Sequence, residues 1–512
     1  MFEKIVSMLL ALAAMIPGIL PPKPARPNGG GQPMEPQRAN YLFLDDHWVA
    51  RQEGVTRRFF TAEKEEDNPV LVKGKERGVG PYAFGWGSKT APYTAWVGSY
   101  DGKKGEYPAF LITSRDGLHW DETRRETDVM CGLGNVQAAA YMYDPSGNYP
   151  GYPYLGAVLY RNAPFVDHFH ARMRRSKDGV HWEKFSLADP IWDTTGDVLS
   201  FLWDAQKERY VAYYKIYRIL GTTTAGEPFH AYSGSFDLKK GETTARFKGY
   251  ARTAENFGVT RPVYMDVELA YGGDSSDDGG GVPTDEMLRI QRVIGYADSA
   301  DFIHWENEQV VIVPPEDAPL GDQGYGMAVT LRDGMYIGMY QYFNSLSGVI
   351  DLILAWSYDG IQWELNWDER ILVTGAAGEW DHGMVFGPEF MNDGGGRMFL
   401  YYGSLAVDHL QSSDLAVGGV GRAWLREDGF ASLSGGSLTT KQMPVTKAVL
   451  TLNMTGRIPI EVKSLEGEVL ASGVAQGDAC DVAAPIDLTP FLGQEVVLSL
   501  DLTEGELFSL SL

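Results

Sequence analysis

The sequence predicts an all-β protein, a five-bladed β-propeller followed by a small C-terminal β-sandwich. Three observations lead to this prediction: a heptapeptide that recurs four times, apolar segments that each precede a tyrosine-rich segment, and a C-terminal stretch of alternating apolar and polar residues. The 512 residues include 60 glycines, 13 tryptophans and 27 tyrosines. This composition is typical of short strands joined by tight turns.

The recurring heptapeptide, called the tag below, carries serine, aspartate and tryptophan at fixed positions. It reads SRDGLHW at 114–120, SKDGVHW at 176–182, SADFIHW at 299–305 and SYDGIQW at 357–363. Asp-Gly between two strands is a strong hairpin-turn signal, because glycine accepts positive φ and aspartate binds nearby backbone amides. The first two tags, and the last two, are about 60 residues apart, a spacing typical of propeller blades. We therefore interpret the tags as turns of a scaffold.

Apolar segments beginning near residues 82, 136, 197, 325 and 383 are predicted to be the innermost strands of five blades. They place the propeller at 41–432, and we expect NYLFLDDHWV at 40–49 to supply a strand that closes it. About two periods separate the second and third tags, which indicates an insertion at about 221–286 in the third blade. Period-2 alternation from residue 433 onward predicts the β-sandwich at 433–512.

The N-terminal residues read as a targeting segment. Residues 1–20 contain an apolar run that is too short for a spanning helix but suits a signal-peptide core. Residues 21–40 are rich in proline and glycine, as linkers are. We expect a secreted or cell-envelope-associated protein without a membrane span, the alternative being a disordered tail on a cytoplasmic protein. The two cysteines, Cys131 and Cys480, are too few for a disulfide framework.

The charge balance excludes one large class of partners. Asp and Glu number 68 against 44 Lys and Arg, for a formal net charge of -24. Nucleic acid needs a basic surface to neutralise its phosphates, so we expect no nucleic-acid partner. A neutral carbohydrate is compatible with this balance.

The tags, together with NPVL at 68–71, resemble the arabinanase/levansucrase/invertase superfamily of five-bladed propeller glycosidases. LFLDD at 42–46, WDHGMV at 380–385 and LTTK at 438–441 are similar to one branch of it that lacks the invertase motifs. The resemblance implies a glycosidase with three carboxylates around a central funnel. This chain departs from the pattern, because Asn-Asp-Pro, Arg-Asp-Pro and Glu-Cys motifs are absent and the first inner strand, PYAFGWGS, carries no aspartate.

Glycoside hydrolysis needs one carboxylic acid to protonate the leaving oxygen and a second carboxylate as nucleophile or base. Inner strands of a propeller converge at one end of its axis, so carboxylates near their starts are able to meet. The candidate catalytic residues chosen on this basis are Asp197, Asp322, Asp381 and Glu389. A turn or strand cap is the structural alternative for the aspartates, and Asp351 and the tag histidines are interpreted as structural.

Polar and aromatic residues near the same strand starts are candidates for substrate binding. Aromatic rings stack on the apolar faces of sugars, and amides, carboxylates and imidazoles bind sugar hydroxyls. The residues predicted in this role are Glu76, Gln137, Gln323, His382, Trp380, Tyr325, Asp46 and Trp86. Inter-blade packing is the alternative for the aromatic residues.

No organic cofactor and no catalytic metal are expected. GGDSSDDGGG at 272–281 offers oxygen ligands for a structural calcium ion but lacks the EF-hand spacing, so we expect a solvated loop. The predicted function is a glycoside hydrolase acting on a poly- or oligosaccharide substrate. The alternatives are a non-catalytic carbohydrate-binding propeller and a glycoside phosphorylase or transferase, which requires a phosphate site such as Arg161 or Lys215 near the funnel.

Overall fold

The computed structural model describes residues 40–72, 86–88, 93–98, 109–120, 125–129, 136–161, 169–222, 228–237, 244–253, 263–270, 290–315, 322–344, 347–392, 395–409 and 418–512. The regular elements in these ranges are β-strands and one 3-10 turn at Thr489–Phe491. The all-β prediction is confirmed. No helix within these ranges is long and apolar enough to cross a membrane.

Five short strands come first and join sheets that later parts of the chain build. They are β1 (Tyr41–Leu42), β2 (Val49–Glu53), β3 (Thr56–Phe59), β4 (Glu63–Lys64) and β5 (Leu71–Val72).

Two antiparallel sheets follow, each built from consecutive strands. The first consists of β6 (Trp86–Ser88), β7 (Tyr93–Gly98), β8 (Ala109–Ser114) and β9 (Arg125–Glu126). The second consists of β10 (Val136–Tyr143), β11 (Tyr154–Arg161), β12 (Phe169–Ser176), β13 (Trp182–Lys184) and β14 (Ile191–Thr195).

The third sheet contains the predicted insertion. Its strands are β15 (Leu199–Asp204), β16 (Arg209–Thr222), β17 (Pro228–Asp237), β18 (Thr244–Thr253), β19 (Val263–Ala270), β20 (Ile290–Ser299) and β21 (Glu306–Ile312). β16 is long enough to pair with β15 and β20 and to extend past β15, where Ile219 pairs with Phe229 of β17. The described part of the insertion is therefore an antiparallel extension of the same sheet.

The fourth sheet has nine strands and two halves. Its later strands are β22 (Asp322–Arg332), β23 (Met335–Asn344), β24 (Ile350–Ser357), β25 (Glu364–Leu365), β26 (Met384–Asn392), β27 (Arg397–Leu405) and β28 (Gly418–Arg426). One parallel pair, Ile350 with Met384, joins the halves. β4 and β5 pair with β28, so residues 63–72 complete this sheet.

The C-terminal sheet has ten strands and takes β1, β2 and β3 from the N-terminal region. Its own strands are β29 (Ala431–Ser434), β30 (Ser437–Thr440), β32 (Val449–Lys463), β33 (Val469–Asp487), β34 (Glu495–Asp501) and β35 (Glu504–Ser511), with β31 (Met443–Pro444) beside β34. Tyr41 pairs with Leu510. Residues 40–49 therefore add to this sheet, and the expectation that they close the propeller is wrong.

Consecutive sheets, and the two halves of the fourth sheet, meet through their first strands. β6 contacts β10, β10 contacts β15, β15 contacts β22, and β22 contacts β26. Apolar side chains fill the spaces between neighbouring sheets, as where Trp96 stacks on Tyr141. Tyr401 and Ile112 belong to one buried cluster, so the strands after β26 also pack on the first sheet. This succession is consistent with a propeller.

The tags form the turns that the sequence predicts. In the second tag the Asp178 carboxylate accepts hydrogen bonds from the backbone N–H groups of Val180 and His181, at 2.9 and 2.8 Å. The hydroxyl of Ser176 donates to the carbonyl oxygen of His181 at 2.6 Å. Gly179 has a φ of 76°, and its carbonyl oxygen accepts a hydrogen bond from the Trp96 indole of the preceding sheet at 2.8 Å.

Gly179→Ala is expected to lower the free energy of unfolding by about 2 kcal/mol, because an L-residue is strained at this φ and because the new Cβ meets packed atoms. A Cβ there would lie 2.9 Å from Cζ2 of Trp96. Gly147→Ala is the matched control, since Gly147 has a φ of 69° but nothing within 4 Å of its Cβ position. Urea unfolding of both variants measures the difference, and equal losses would mean that the contact with Trp96 contributes nothing.

Candidate active site

Two inner strands of neighbouring sheets, β15 and β22, bring carboxylates to one end of the fold. Asp197 precedes β15 and directly follows Gly196. A Cβ added at Gly196 would lie 2.4 Å from the Lys215 carbonyl oxygen. A Cβ on Gly326 of β22 would likewise lie 2.4 Å from Cγ1 of Val198. Glycine at both positions therefore lets the two strand starts approach each other closely.

Asp197 forms an ion pair with Lys215, which lies on β16 beside the start of β15. The Lys215 side chain is 2% exposed and that of Asp197 is 29% exposed, so Asp197 is the more accessible member of the pair, although its Oδ1, which faces Lys215, is buried. Burial by itself would raise the pKa of Asp197, but the Lys215 ammonium and the Arg292 guanidinium outweigh it and hold this pKa below its usual value. Asp197 is therefore ionised at neutral pH.

The ammonium of Lys215 also contacts Tyr325, a predicted substrate-binding residue. Its Nζ lies 4.3 Å from the centroid of the Tyr325 ring, a cation–π distance. The Tyr325 hydroxyl lies 3.0 Å from Nε2 of His409. His409 follows β27, and its backbone N–H donates to the Gly348 carbonyl at 2.8 Å. One network thus joins the third sheet to both halves of the fourth.

Gln323, another predicted binding residue, holds a second buried cation in the same region. Its Oε1 accepts a hydrogen bond from Nη1 of Arg292 at 2.6 Å, and the two residues are 2% and 5% exposed. Arg292 lies on β20, opposite Tyr217 of β16. Its guanidinium lies over the ring of Phe343, 5.0 Å from the centroid.

Asp322 begins β22 and is 8% exposed. It accepts hydrogen bonds from the Tyr342 hydroxyl and, at 3.2 Å, from the Asn344 amide. The neighbouring strand places Asp351 opposite Tyr342. Burial raises the pKa of Asp351, although the Thr374 N–H donates to its carboxylate at 2.9 Å. Asp351, interpreted as structural from the sequence, is therefore a carboxyl group at this end of the sheet whose pKa lies above its usual value.

Asp381, predicted to be catalytic, lies in a different environment. Its carboxylate is 3% exposed and pairs with Nζ of Lys64 at 2.6 Å. It also accepts a hydrogen bond from the Tyr402 hydroxyl at 3.2 Å. Trp380 stacks on Tyr402 with ring centroids 5.9 Å apart, whereas the adjacent His382 is exposed. Lys64 is 27% exposed and its charge also lowers the pKa of Asp351, so Asp381 lies in a partly buried ion pair that acts on Asp351.

The structure places Asp46 far from these residues. Asp46 forms an ion pair with Arg57, and its neighbour Asp45 accepts hydrogen bonds from Trp356 and Tyr358. Trp356 lies near the C-terminal end of β24 and Tyr358 directly follows the strand, whereas Asp351 lies at its N-terminal end. Asp46 therefore does not join the site, because the turn after β1 belongs to the C-terminal sheet.

The remaining candidates are described only in part. Gln137, Glu389 and Trp86 lie in β10, β26 and β6, and their side chains fall outside the described set. Glu76, Arg161's side chain and the acidic loop at 272–281 also lie outside it, as does Cys131. Cys480 is a free, half-buried thiol. Within the described ranges, no three His, Cys, Asp or Glu residues are grouped so as to hold a metal ion.

Sequence reasoning missed three cationic or polar members of this region, Arg292, His409 and Tyr342. Lys215 was considered only as a phosphate ligand. A signal was present for it, since a lysine in the middle of the strand sequence YVAYYKIY is out of place unless it is paired. His409 gave no signal, because its position depends on how two loops meet.

Lys64→Met is expected to lower the free energy of unfolding by about 3 kcal/mol, because it leaves Asp381 buried without its cation. The exposed Lys441 supplies the control, since Lys441→Met removes an equal charge from solvent and should change stability little. Thermal unfolding at neutral pH compares the two. Similar melting temperatures for both variants would contradict a structural ion pair at Asp381.

Comparison with known proteins gives structural neighbours only. No family model and no curated protein matches this chain. An N-acetylgalactosamine deacetylase from F. plautii matches with a TM-score of 0.40 at 14% identity, over 77% of this chain and 96% of the other. A thermostable family-43 glycoside hydrolase matches with a TM-score of 0.40 at 13% identity, over 72% and 95%. A GH32 beta-fructofuranosidase from Bombyx mori matches with a TM-score of 0.35 at 10% identity, over 86% and 94%.

The glycoside hydrolases among these neighbours are of the kinds that the sequence was found to resemble. All three TM-scores are below 0.5, so no residue role is transferred from them.

Proposed function

We propose that the strands from β4 to β28, within the predicted range 41–432, form a five-bladed propeller, and that 433–512 form a sandwich that also takes in β1, β2 and β3. The order of contacts from β6 through β10, β15 and β22 to β26 supports this proposal. The Tyr401 hydroxyl also donates to the carbonyl oxygen of Gly117 at 2.5 Å, which links the last blade to the first. Residues 1–20 act as a signal peptide and 21–40 as a linker, and the protein is exported.

The function that the site supports best is glycoside hydrolysis of a poly- or oligosaccharide. The observation that carries this proposal is the accessible, ionised Asp197 on a buried lysine, next to a strand that begins with a second carboxylate. An isolated turn aspartate has no need of a cation that is 2% exposed. Burying Lys215 is costly, and the cost is offset here by a carboxylate that solvent reaches.

The roles of the carboxyl groups follow from their pKa values. Asp197 acts as the nucleophile or as the base that activates water, since Lys215 keeps it ionised. Asp351, whose pKa is raised, or Asp322 on the adjacent strand protonates the leaving oxygen. Two carboxyl groups whose surroundings move their pKa values in opposite directions form an acid–base pair. Tyr325 supplies a ring face for a sugar, and no cofactor takes part.

A second candidate, glycoside phosphorolysis, is favoured by one observation. Lys215 and Arg292 place two cations beside Asp197. His409, which follows β27 in the second half of the fourth sheet, contacts Tyr325 in the same region. Such groups bind phosphate. In that reaction a phosphate oxygen bonds to the anomeric carbon as the glycosidic bond breaks, and the carboxylic acid gives its proton to the leaving oxygen. The product is a sugar 1-phosphate.

The experiment is a release assay on arabinan, fructan, xylan, galactan and aryl glycosides, with and without inorganic phosphate. Hydrolysis predicts free sugar in both conditions, whereas phosphorolysis predicts a sugar 1-phosphate that requires phosphate. The Asp197→Asn variant runs in parallel to exclude a contaminating activity. Binding of these sugars without release of any product would contradict both reactions and favour the non-catalytic alternative.

A further inference from the structure

The outer face of the C-terminal sheet carries a groove of about 720 Å³, lined by none of the residues that contact Asp197. It runs across five adjacent strands, β2, β30, β34, β32 and β33. Strands are about 4.8 Å apart, so the groove extends roughly 19 Å across the sheet. Leu438, Ile460 and Leu500 face the opposite way and are buried in the core, which holds the floor of the groove rigid.

One row of side chains in strand register crosses the whole groove. Arg51 pairs with Thr439, Thr439 with Ser499, Ser499 with Glu461, and Glu461 with Ser472. Nζ of Lys463 donates to the Ser499 hydroxyl at 3.0 Å. Thr439 and Ser499 in this row are half-buried, whereas Arg51, Glu461 and Ser472 are exposed. Its middle therefore presents hydroxyl groups that donate and accept hydrogen bonds.

The charges in the groove are paired within it. Lys463 forms an ion pair with Glu461 at 2.8 Å, and Arg51 lies 3.7 Å from Glu53. Asp501 is a third carboxylate and accepts a hydrogen bond from the Thr503 N–H. Three carboxylates against two cations give an anionic ligand no net attraction. The occupant that fits this surface is uncharged and rich in hydroxyl groups.

A small apolar surface lies beside the hydroxyl row. Pro459 and Val474 are register partners on β32 and β33 and both line the groove. Val474 is 36% exposed. Sugar rings present C–H groups on one side and hydroxyl groups at their edges, so one ring can contact both kinds of surface. From these features we propose that the groove binds an extended chain of neutral sugars.

The groove would hold a polysaccharide while the propeller acts on it, although its binding does not depend on the reaction at Asp197. Two weak sites on one protein strengthen overall attachment to a polymer, because binding at one raises the effective concentration at the other. A short soluble substrate reaches the propeller without using the groove.

The test is affinity electrophoresis of the full-length Asp197→Asn protein in gels that contain arabinan, galactan, xylan or inulin, with polygalacturonate as the acidic counterpart. We expect at least one neutral polymer to retard the protein and polygalacturonate to leave it unaffected. Ser499→Trp, which fills the groove, and Lys463→Met, which removes a charge-assisted hydrogen bond, should each weaken retardation about tenfold or more. Glu495→Gln on β34, which is exposed and outside the groove, is the matched control.

Unchanged retardation in both groove variants would overturn the proposal, as would retardation by polygalacturonate alone or by no polymer. Lys463→Met decides the matter if the tryptophan variant does not fold. The same groove variants are also made with Asp197 intact. They should hydrolyse an aryl glycoside as fast as the wild type. Loss of retardation with full hydrolysis identifies the groove, whereas retardation without hydrolysis in wild type would contradict only the proposed function.

Discussion

Replacing Asp197 by asparagine is expected to reduce kcat for glycoside cleavage by about 10³-fold or more while the protein stays folded. The amide keeps the size of the side chain but removes the charge that serves as nucleophile or base. The asparagine amide oxygen can still accept a hydrogen bond from the buried Lys215, so the variant should fold, although with lower stability than the wild type. Initial rates on the best substrate of the release panel, with circular dichroism of the same samples, measure both effects.

Asp178→Asn is the control for this result. Asp178 caps a tag turn in the neighbouring sheet and contacts backbone amides there, so its loss should lower stability but leave kcat near the wild-type value. Equal activity in wild type and Asp197→Asn would move the chemistry to the other carboxylates, and Asp322→Asn and Asp351→Asn would then be measured.

Replacing Lys215 by methionine should shift the acidic limb of the pH–activity profile upward by about 1 to 2 pH units. Lys215 lowers the pKa of Asp197, so its removal lets burial raise that pKa. A carboxylate that must be ionised then loses its charge at a higher pH, and activity falls off earlier as the medium is acidified. The profile of kcat/KM between pH 4 and 9 reports the shift.

Lys215→Met should also change how the free energy of unfolding depends on pH. A carboxyl group whose pKa is lower in the folded state than in the unfolded state stabilises the protein at pH values above its unfolded pKa. This stabilisation is lost as the pH falls through the folded pKa. Lys215→Met should therefore be less stable than wild type at neutral pH, with a smaller difference near pH 4. Lys215→Arg keeps the cation and should retain the wild-type acidic limb. A parallel shift in Lys215→Arg would indicate that packing, not charge, sets the profile.

Local features of the fold could be predicted from the sequence, because their causes are local. The serine and aspartate of each tag, and the glycine that three of the four tags carry, lie within four residues of one another and satisfy the same turn wherever they occur. Asp197 was selected because a lone carboxylate directly before an apolar strand is out of place. Its position at the start of β15 is confirmed, whereas its role remains a prediction.

Partners that come from distant strands could not be predicted, because their meeting depends on strand register. Lys215 reaches Asp197 only because Leu199 pairs with Tyr214, and Arg292 reaches the region through β20. Asp381 also precedes an inner strand, yet Lys64 of the short strand β4 neutralises it. The sequence around Asp381 does not indicate that its partner is a lysine more than three hundred residues earlier.

The pairing of Tyr41 with Leu510 has a consequence for biosynthesis. The ribosome makes β1 more than four hundred residues before β35, so the C-terminal sheet cannot be completed until β35 has been made. β4 and β5 likewise wait for β28. Contacts of such long sequence separation form slowly, and the nascent chain carries unpaired strand edges that invite association with other chains.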